Sequence, residues 1–273
     1  MYRVKRINGY TWLIGDDIRE DFTATMVLVA GKERAALVDT GCGVGDLKAL
    51  VGSLTELPLT VLTSHVHLDH IGGHALFGGA RDQIFASALE MEEWLRSGEP
   101  EHFLEERLRF LRAAVEGDEE RYRIFEKNLV RDWHFSWKPL RDGMRFDLGG
   151  VVLETCMVPG HTKESFVFVE RESGNAFVGD SINPTPWIFP ESGTGVAEYG
   201  RSVERFREKF PEVRHLYSGH CMEDIGVQTI SDTLECVKEV VEGARDPVVE
   251  CYKGKVFQHV KNSVTMFYTE RFV

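Results

Sequence analysis

The sequence is poor in cysteine, and its cysteines show no pairing pattern. There are five of them in 273 residues, an odd number, and no two form a C-x-x-C pair. Disulfide frameworks and cysteine zinc sites both use cysteines at close and regular spacings. The scattered positions therefore favour neither kind of site, and the expected location is a reducing cytoplasm. The cysteines are Cys42, Cys156, Cys221, Cys236 and Cys251.

Long apolar runs are also missing. The longest ones, such as residues 26–30, fall far short of the roughly 20 residues that span a bilayer. Near the N-terminus, Asn8, Gly9 and Asp16 interrupt what would have to be the apolar core of a secretion signal. We therefore expect a soluble protein without a membrane partner.

Positive charge is scarce relative to negative charge. The chain has 32 Lys and Arg against 44 Asp and Glu, which gives a formal net charge of -12. Such a chain repels phosphate backbones, and no basic stripe interleaved with aromatic residues compensates. We expect a small-molecule substrate and no nucleic-acid partner, while homo-oligomerisation is left open.

Strand-like and helix-like segments alternate in both halves of the chain. A chain of this length buries roughly three quarters of its unfolded surface, and no linker or short-period repeat divides it. The prediction is an α/β fold in a single domain over residues 1–273, with a helical insertion at about residues 86–143. Predicted strands cover 4–7, 11–14, 26–30, 35–39, 59–62, 84–85, 144–146, 151–158, 165–169, 176–178, 215–217, 248–252, 256–260 and 264–268. Predicted helices cover 44–54, 196–210 and 230–241, with a proline-rich loop at 183–195.

The region between residues 86 and 131 is charged and has a helical pattern. Leu104, Leu108, Leu111 and Val115 recur at spacings of four, three and four, which places them on one helix face. One interpretation is an amphipathic helix packed on the core; the other is a helical lid with an aromatic pocket wall. Candidate wall residues are Phe103, Phe110, Trp94, Trp133 and Trp137.

Three histidines and an aspartate stand within six residues directly after a predicted strand. They are His65, His67, Asp69 and His70. Imidazole nitrogen and carboxylate oxygen suit zinc and its first-row neighbours, whereas calcium prefers oxygen and structural zinc sites prefer thiolate. Closely spaced side chains in an irregular segment can splay around a cation, so the pattern predicts a catalytic metal loop.

Three further ligand-capable side chains each follow a glycine just past the end of a predicted strand. They are His161, Asp180 and His220. In an open α/β sheet, ligands bind at strand ends, and a flanking glycine allows close backbone approach or positive φ. Each dipeptide alone is weak evidence, but the repeated pattern makes these residues candidate ligands.

With these residues the chain resembles the metallo-β-lactamase superfamily, whose pattern is H-x-H-x-D-H, a Gly-His, a downstream Asp and a last His. Residues 38–41, Val-Asp-Thr-Gly, also resemble the early Asp-Thr-Gly turn of that family. The resemblance covers nearly the whole chain. It implies a four-layer αββα sandwich with metals at one edge between the sheets.

The resemblance further implies two divalent metal ions per chain, with zinc favoured and iron or manganese as alternatives. One ion would be held by His65, His67 and His161. The other would be held by Asp69, His70 and His220, with Asp180 bridging both.

Three polar residues outside the candidate ligand set are expected to orient a ligand or to have a structural role. Asp39 is expected to orient a ligand histidine, with a turn-forming role as an equal alternative. His74 has metal-binding chemistry, but the ligand set is full without it, so we expect a structural role. Cys221 is expected to be a small buried residue rather than a nucleophile.

The implied reaction is a metal-dependent hydrolysis. Because a metal lowers the pKa of bound water towards 7, we expect a metal-bridging hydroxide to attack a small ester, thioester or lactone. Asp69 is the expected proton acceptor. The ligand set is similar to those of glyoxalase II and lactonases. Asp180 disfavours antibiotic cleavage, because the best-known β-lactamases carry Cys or Ser there.

The loop at residues 183–195 is a candidate wall of the substrate pocket. Trp187 and Phe189 would present rigid apolar area between restrictive prolines. A packed structural loop is an equal alternative. Three other functions also stay open: a phosphodiesterase or nuclease of the same superfamily, a single-iron sulfur dioxygenase, and a non-catalytic binding domain.

Overall fold

The computed structural model describes residues 2–19, 22–79, 82–97, 100–115, 117–189, 191, 193–251 and 254–269. The chain divides into two compact units. Unit 1 consists of Met1–Leu140, Phe146–Val152 and Gly219–Met222; unit 2 consists of Arg141–Arg145, Leu153–Ser218 and Glu223–Val273. Both units contain helices and strands, so the predicted α/β class is confirmed. The boundaries of a single domain with a helical insertion stay a prediction.

Unit 1 is built on a seven-stranded sheet whose strands follow chain order. The first four strands pair antiparallel, as the expected β-meander requires, and the last four pair parallel. The strands are β1 (Tyr2–Arg6), β2 (Thr11–Arg19), β3 (Phe22–Ala30), β4 (Ala35–Val38), β5 (Leu59–Leu62), β6 (Gln83–Ser87) and β7 (Lys138–Leu140). Parallel pairing needs crossover connections, which the helices of this unit supply.

Helices connect the parallel strands of unit 1. They are α1 (Leu47–Leu54), α2 (Leu68–Ile71), α3 (Ala88–Ser97), α4 (Pro100–Ala114) and α5 (Glu119–Asn128), with a 3₁₀ turn at His74–Phe77. The prediction that the first helix begins at residue 44 is wrong. Gly45 has a φ of 94°, and Asp46 caps the helix by accepting a hydrogen bond from the N–H of Ala49. These two residues fix the start of α1 at Leu47.

The apolar face predicted around α4 packs against the core of unit 1. Leu111 and Val115 are buried, and the partly buried Leu104 and Leu108 pack against the same cluster. That cluster also contains Ile18, Ala24, Cys42, Val44, Tyr122, Phe125 and Leu129. The amphipathic-helix interpretation of this segment is therefore confirmed.

Unit 2 contains most of a five-stranded sheet and a separate four-stranded sheet, in the orders β13-β11-β10-β9-β8 and β12-β16-β15-β14. The strands are β8 (Arg145–Asp147), β9 (Val152–Met157), β10 (Phe166–Glu170), β11 (Asn175–Gly179), β12 (Trp187–Ile188), β13 (His215–Ser218), β14 (Val248–Cys251), β15 (Gly254–Lys261) and β16 (Val264–Tyr268). Two helices, α6 (Val196–Lys209) and α7 (Gln228–Val241), contribute Phe206 and Val237 to one buried apolar cluster.

The predicted loop at residues 183–195 contains the short strand β12, which was not expected. Trp187 and Ile188 pair in parallel with Phe267 and Tyr268. No local sequence pattern predicts a pairing between segments so far apart. Residues 190 and 192 of the predicted loop, residue 252 of a predicted strand, and residues 98, 99 and 116 of the predicted helical region lie outside the described residues.

Strands β2 and β3 are longer than predicted, and β7 was missed. β2 continues to Arg19 because Gly15, Asp16 and Asp17 pair with β3, although Gly and Asp have low strand propensity. Tertiary pairing thus overrides local preference here. Among the described residues, every helix is too short or too polar to cross a membrane.

Candidate metal centre

The segment after β5 leaves the regular strand and brings two histidine nitrogens together. The N–H of Thr63 still donates to Phe85 O at 2.9 Å, but Ser64 to Val66 make no strand pairs. In this irregular stretch, Nε2 of His65 lies 3.0 Å from Nδ1 of His67. Both nitrogens therefore face the same point, as two ligands of one cation would.

A second group in unit 1 joins Asp69, His70 and His220. Oδ2 of Asp69 lies 3.8 Å from Nε2 of His70 and 3.7 Å from Nε2 of His220. One ligand atom from each of these residues lies within 4.8 Å of the other two. Ligand atoms about 2.0–2.1 Å from a tetrahedral zinc are roughly 3.4 Å apart. The spacing and the donor types of this group fit a divalent cation.

Hydrogen bonds orient the histidines of the second group. Nδ1 of His220 lies 3.2 Å from the carbonyl oxygen of Thr23, and Nδ1 of His70 lies 2.8 Å from Oδ2 of Asp39. A carbonyl or carboxylate oxygen accepts only, so both Nδ1 atoms carry the proton. The lone pair of each ring is then on Nε2, the atom that faces Asp69.

Contacts with β3 hold His220 in unit 1, although His220 comes 197 positions after Thr23 in the chain. The N–H of Thr25 donates to the carbonyl oxygen of Gly219 at 2.7 Å. The ring of His220 also packs against Phe22, with ring centroids 4.8 Å apart. The Gly-His pattern identified this residue, but nothing in the sequence identifies Thr23 as its hydrogen-bond partner.

Asp39 lies at the end of β4 with a φ of 61°, in the left-handed region, and is buried. Its Oδ1 accepts from the N–H of Ser64 at 2.7 Å, and its Oδ2 accepts from the hydroxyl of Ser64 at 2.6 Å. The same Oδ2 accepts from His70. A single carboxylate thus contacts the backbone of the ligand loop and one candidate ligand.

Ser64 extends this network to His65. Its hydroxyl donates to Asp39, so its oxygen accepts from Nδ1 of His65, which lies 3.1 Å away. This leaves the lone pair of His65 on Nε2, towards His67. Ser64 was not predicted to take part in the site. Its only signal in the sequence is that a residue with a hydroxyl group stands between the end of a strand and the first candidate ligand, His65.

In unit 2, the structure brings His161 and Asp180 together. Nε2 of His161 lies 3.6 Å from Oδ2 of Asp180, and Nδ1 of His161 donates to the carbonyl oxygen of Trp187 at 2.9 Å. The ring again presents Nε2 as the acceptor. A Cβ on Gly160 would lie 2.2 Å from Cδ2 of Tyr199, so glycine is required beside this histidine.

His74 has the structural role that its position predicted. It is fully buried between two hydroxyls: Nδ1 lies 2.7 Å from Oγ1 of Thr40, and Nε2 lies 2.7 Å from Oγ1 of Thr63. Burial, with a smaller contribution from the charge of His70, lowers the pKa of His74 to about 3. Both ring nitrogens are occupied, which leaves no nitrogen for a metal.

Cys221 is only partly buried, so the prediction of a small buried residue is wrong there. It follows His220 in an irregular segment beyond β13, where the chain has left the sheet. The other four cysteines are also free, and Cys42, Cys156 and Cys236 are buried.

The predicted pocket residues occupy different environments. Trp187 is half-buried, packs against Phe267 at a centroid distance of 4.9 Å, and offers its carbonyl to His161. Phe189 is buried. Their role in a substrate pocket stays a proposal. In unit 1, Trp133 lines an open cavity of about 310 Å³ together with Gly78, His134, Phe135 and Ser136.

Comparisons with known proteins assign the chain to a family. Residues 19–220 match the model of the metallo-beta-lactamase superfamily. An acyl-coenzyme A thioesterase from Bos taurus, MBLAC2, is 26% identical over 220 residues, which cover 74% of this chain and 73% of that protein.

Solved structures share the fold at lower identity. A metallo-beta-lactamase from Pontibacter korlensis superimposes with a TM-score of 0.64 and 15% identity, over 87% of this chain and 99% of that one. A metallo-beta-lactamase from Erythrobacter litoralis gives a TM-score of 0.56 and 20% identity, over 87% of this chain and 96% of that one. The superfamily match and the thioesterase relative also support a metal-dependent hydrolase. The fold class and family that the sequence predicted are confirmed: this chain belongs to the metallo-β-lactamase superfamily.

Proposed function

We propose that this protein is a metal-dependent hydrolase that cleaves a thioester of a small or medium-sized acyl group. The observation that carries the proposal is the orientation of Nε2 of His70 and Nε2 of His220 towards the carboxylate of Asp69, at 3.8 and 3.7 Å. Pre-oriented imidazoles beside a carboxylate are the arrangement that catalytic metal sites use. The choice of a thioester over an oxoester or lactone is supported by the thioesterase relative.

The proposed ligand set is the one expected from the superfamily. His65, His67 and His161 would hold one divalent cation, Asp69, His70 and His220 would hold the other, and Asp180 would be shared by both, with zinc as the expected metal. When bound, the two cations lower the pKa of water and polarise the substrate carbonyl. Four histidines of this set have their second ring nitrogen hydrogen-bonded, which supports their assignment as ligands.

The chain's own residues then orient and neutralise the reacting groups. We assign to Asp69 the acceptance of a proton from the attacking water at its carboxylate, whose side chain is 17% exposed. Asp39 balances the positive charge that develops on His70 when that ring is polarised. Trp187 and Phe189 are proposed to contact the acyl group, because their apolar area suits an aliphatic chain.

The proposal is tested with purified protein of measured metal content. Coenzyme A thioesters of increasing acyl length are compared with matched oxoesters, lactones, a β-lactam and phosphodiesters. We expect thioester hydrolysis that requires metal and falls at least about 100-fold in Asp69→Asn, because the substitution weakens a proposed metal ligand and removes the proposed proton acceptor. The control is Asp132→Asn, whose side chain is 67% exposed. Hydrolysis of phosphodiesters alone, or of no substrate with two metals bound per chain, would contradict the proposal.

A further inference from the structure

Glu90 is a buried acid in the first turn of α3 that the sequence does not distinguish from its neighbours. It is 7% exposed, whereas Glu92 on the same helix is exposed. Burial of a carboxylate is unfavourable unless hydrogen bonds compensate. The position of Glu90 is fixed in turn by Ser87, whose hydroxyl oxygen accepts from the N–H of Glu90 at 3.1 Å. The side chain of Glu90 is therefore buried at a fixed position, and its carboxylate needs a hydrogen-bond donor.

The carboxylate of Glu90 binds the backbone of the candidate metal loop. Its Oε2 accepts from the N–H of Val66 at 3.0 Å. Val66 is the residue between His65 and His67, whose ring nitrogens are 3.0 Å apart. This N–H belongs to the peptide that joins His65 to Val66, so the hydrogen bond fixes the backbone next to His65 and one residue before His67. A hydrogen bond at this one amide thus acts on two candidate ligands at once.

Asp39 and Glu90 together replace the strand partners that the loop has lost. β5 ends at Leu62, and the N–H of Thr63 still donates to a neighbouring strand. Beyond that point, the N–H of Ser64 donates to Asp39 at 2.7 Å, and the N–H of Val66 donates to Glu90. Hydrogen bonds to a charged acceptor are stronger than those between neutral groups. Two buried carboxylates therefore hold an irregular segment that the sheet no longer supports.

We propose that Glu90 is a positioning residue for the His65–His67 ligand pair, and that its hydrogen bond to Val66 sets the metal affinity of that pair. The inference rests on the proposed function in one respect, because it takes His65 and His67 as ligands. Loss of a residue that orients metal ligands costs about 10- to 100-fold in metal affinity.

Three substitutions separate the hydrogen bond from the charge of Glu90. Glu90→Leu removes the acceptor at similar volume, and Glu90→Asp keeps the charge but withdraws the carboxylate by one methylene. Glu90→Gln keeps an acceptor oxygen at the same reach without the charge. The matched controls are Glu92→Leu and Glu92→Gln, on the exposed side of the same helix.

Zinc dissociation constants are measured by chelator competition, and the thermal unfolding midpoint of each metal-free variant is measured in parallel. We expect Glu90→Leu and Glu90→Asp to weaken zinc binding about 10- to 100-fold, and Glu90→Gln to restore it to within about threefold of the unmodified protein, because its amide oxygen still accepts from Val66. The Glu92 variants should bind zinc normally. If Glu90→Leu fails to fold, the zinc affinity of Glu90→Asp alone tests the proposal.

Unchanged zinc affinity in a folded Glu90→Asp variant would overturn the inference. So would a lowered unfolding midpoint without any loss of affinity, which is the result of a merely structural role. Absence of zinc binding in the unmodified protein would overturn the ligand set and the role of Glu90 together. Normal zinc binding with the expected Glu90 effects, but without hydrolysis, would overturn only the proposed function.

Discussion

Oδ2 of Asp39 lies 2.8 Å from Nδ1 of His70, although 31 positions separate the two residues in the chain. Both side chains are buried, with exposures of 2% and 1%. A carboxylate in this position fixes the tautomer of the imidazole and raises the basicity of its other nitrogen. The contact therefore joins the end of β4 to the centre of the proposed metal site.

The first prediction concerns this contact. Asp39→Asn should lower zinc affinity about 10- to 100-fold, because the amide is neutral and offers one acceptor oxygen where the carboxylate offers two. Asparagine tolerates the left-handed backbone of this position, so the substitution tests the carboxylate rather than the turn. Zinc affinity is measured by chelator competition. Asp46→Asn is the control, since asparagine caps α1 as well as aspartate does; equal affinities in both variants would contradict the prediction.

The second prediction concerns Asp180, the proposed bridging residue. Asp180→Ala should lower metal content and thioester turnover together, because one carboxylate is proposed to serve both cations. Metal content is measured by elemental analysis and turnover by thiol release. The exposed Glu172→Ala serves as a control in the same unit. Full metal content with unchanged turnover would refute the bridging role.

Much of the candidate site could be predicted because its residues carry their chemistry in short patterns. His65, His67, Asp69 and His70 follow a strand within six positions, and His220 follows a glycine. Such patterns are local, and metal chemistry restricts which side chains can form them. The candidate ligands that the structure brings together in unit 1 belong to this predicted set.

The supporting contacts could not be predicted, because they depend on tertiary distances. The carbonyl groups of Thr23 and Trp187 have no residue-type signal, since every residue has a carbonyl. Glu90 resembles its exposed neighbour Glu92 in sequence, and only burial distinguishes them. The fold shows the same limit: β12 forms by pairing with β16, and its two residues carry no strand pattern of their own.

The third prediction concerns Arg107, a buried arginine of α4 that binds backbone carbonyls. Its guanidinium donates to the carbonyl oxygens of Cys42, Gly43 and Val130. Lysine has a single ammonium and cannot reproduce the planar fork. Arg107→Lys should therefore destabilise the protein by about 2–3 kcal/mol, the cost of leaving buried acceptors unsatisfied. Urea unfolding of the metal-free protein measures this loss.

The exposed Arg109→Lys on the same helix is the control for that experiment. It should change the free energy of unfolding by less than about 0.5 kcal/mol, as surface substitutions do. Equal stability of the two variants would show that the carbonyl contacts of Arg107 contribute nothing measurable.

The last prediction concerns the pH dependence of stability that His74 creates. Burial lowers the pKa of His74 from 6.5 to about 3 in the folded protein. Between these values the unfolded chain binds a proton at this residue and the folded chain does not. The stabilisation is therefore complete above pH 6.5 and is lost as the pH falls towards 3. Between pH 8 and pH 5 the loss from this one residue is about 2 kcal/mol.

His74→Gln removes this titration, so the free energy of unfolding of the variant should fall by about 2 kcal/mol less over the same pH range. Urea unfolding is measured at pH 8, 6.5 and 5 with a chelator present, so that metal release does not contribute. His134→Gln, at a side chain that is 74% exposed, should keep the pH dependence of the unmodified protein. Parallel pH curves for His74→Gln and the unmodified protein would mean that His74 is protonated equally in the folded and unfolded states, which its position between Thr40 and Thr63 argues against.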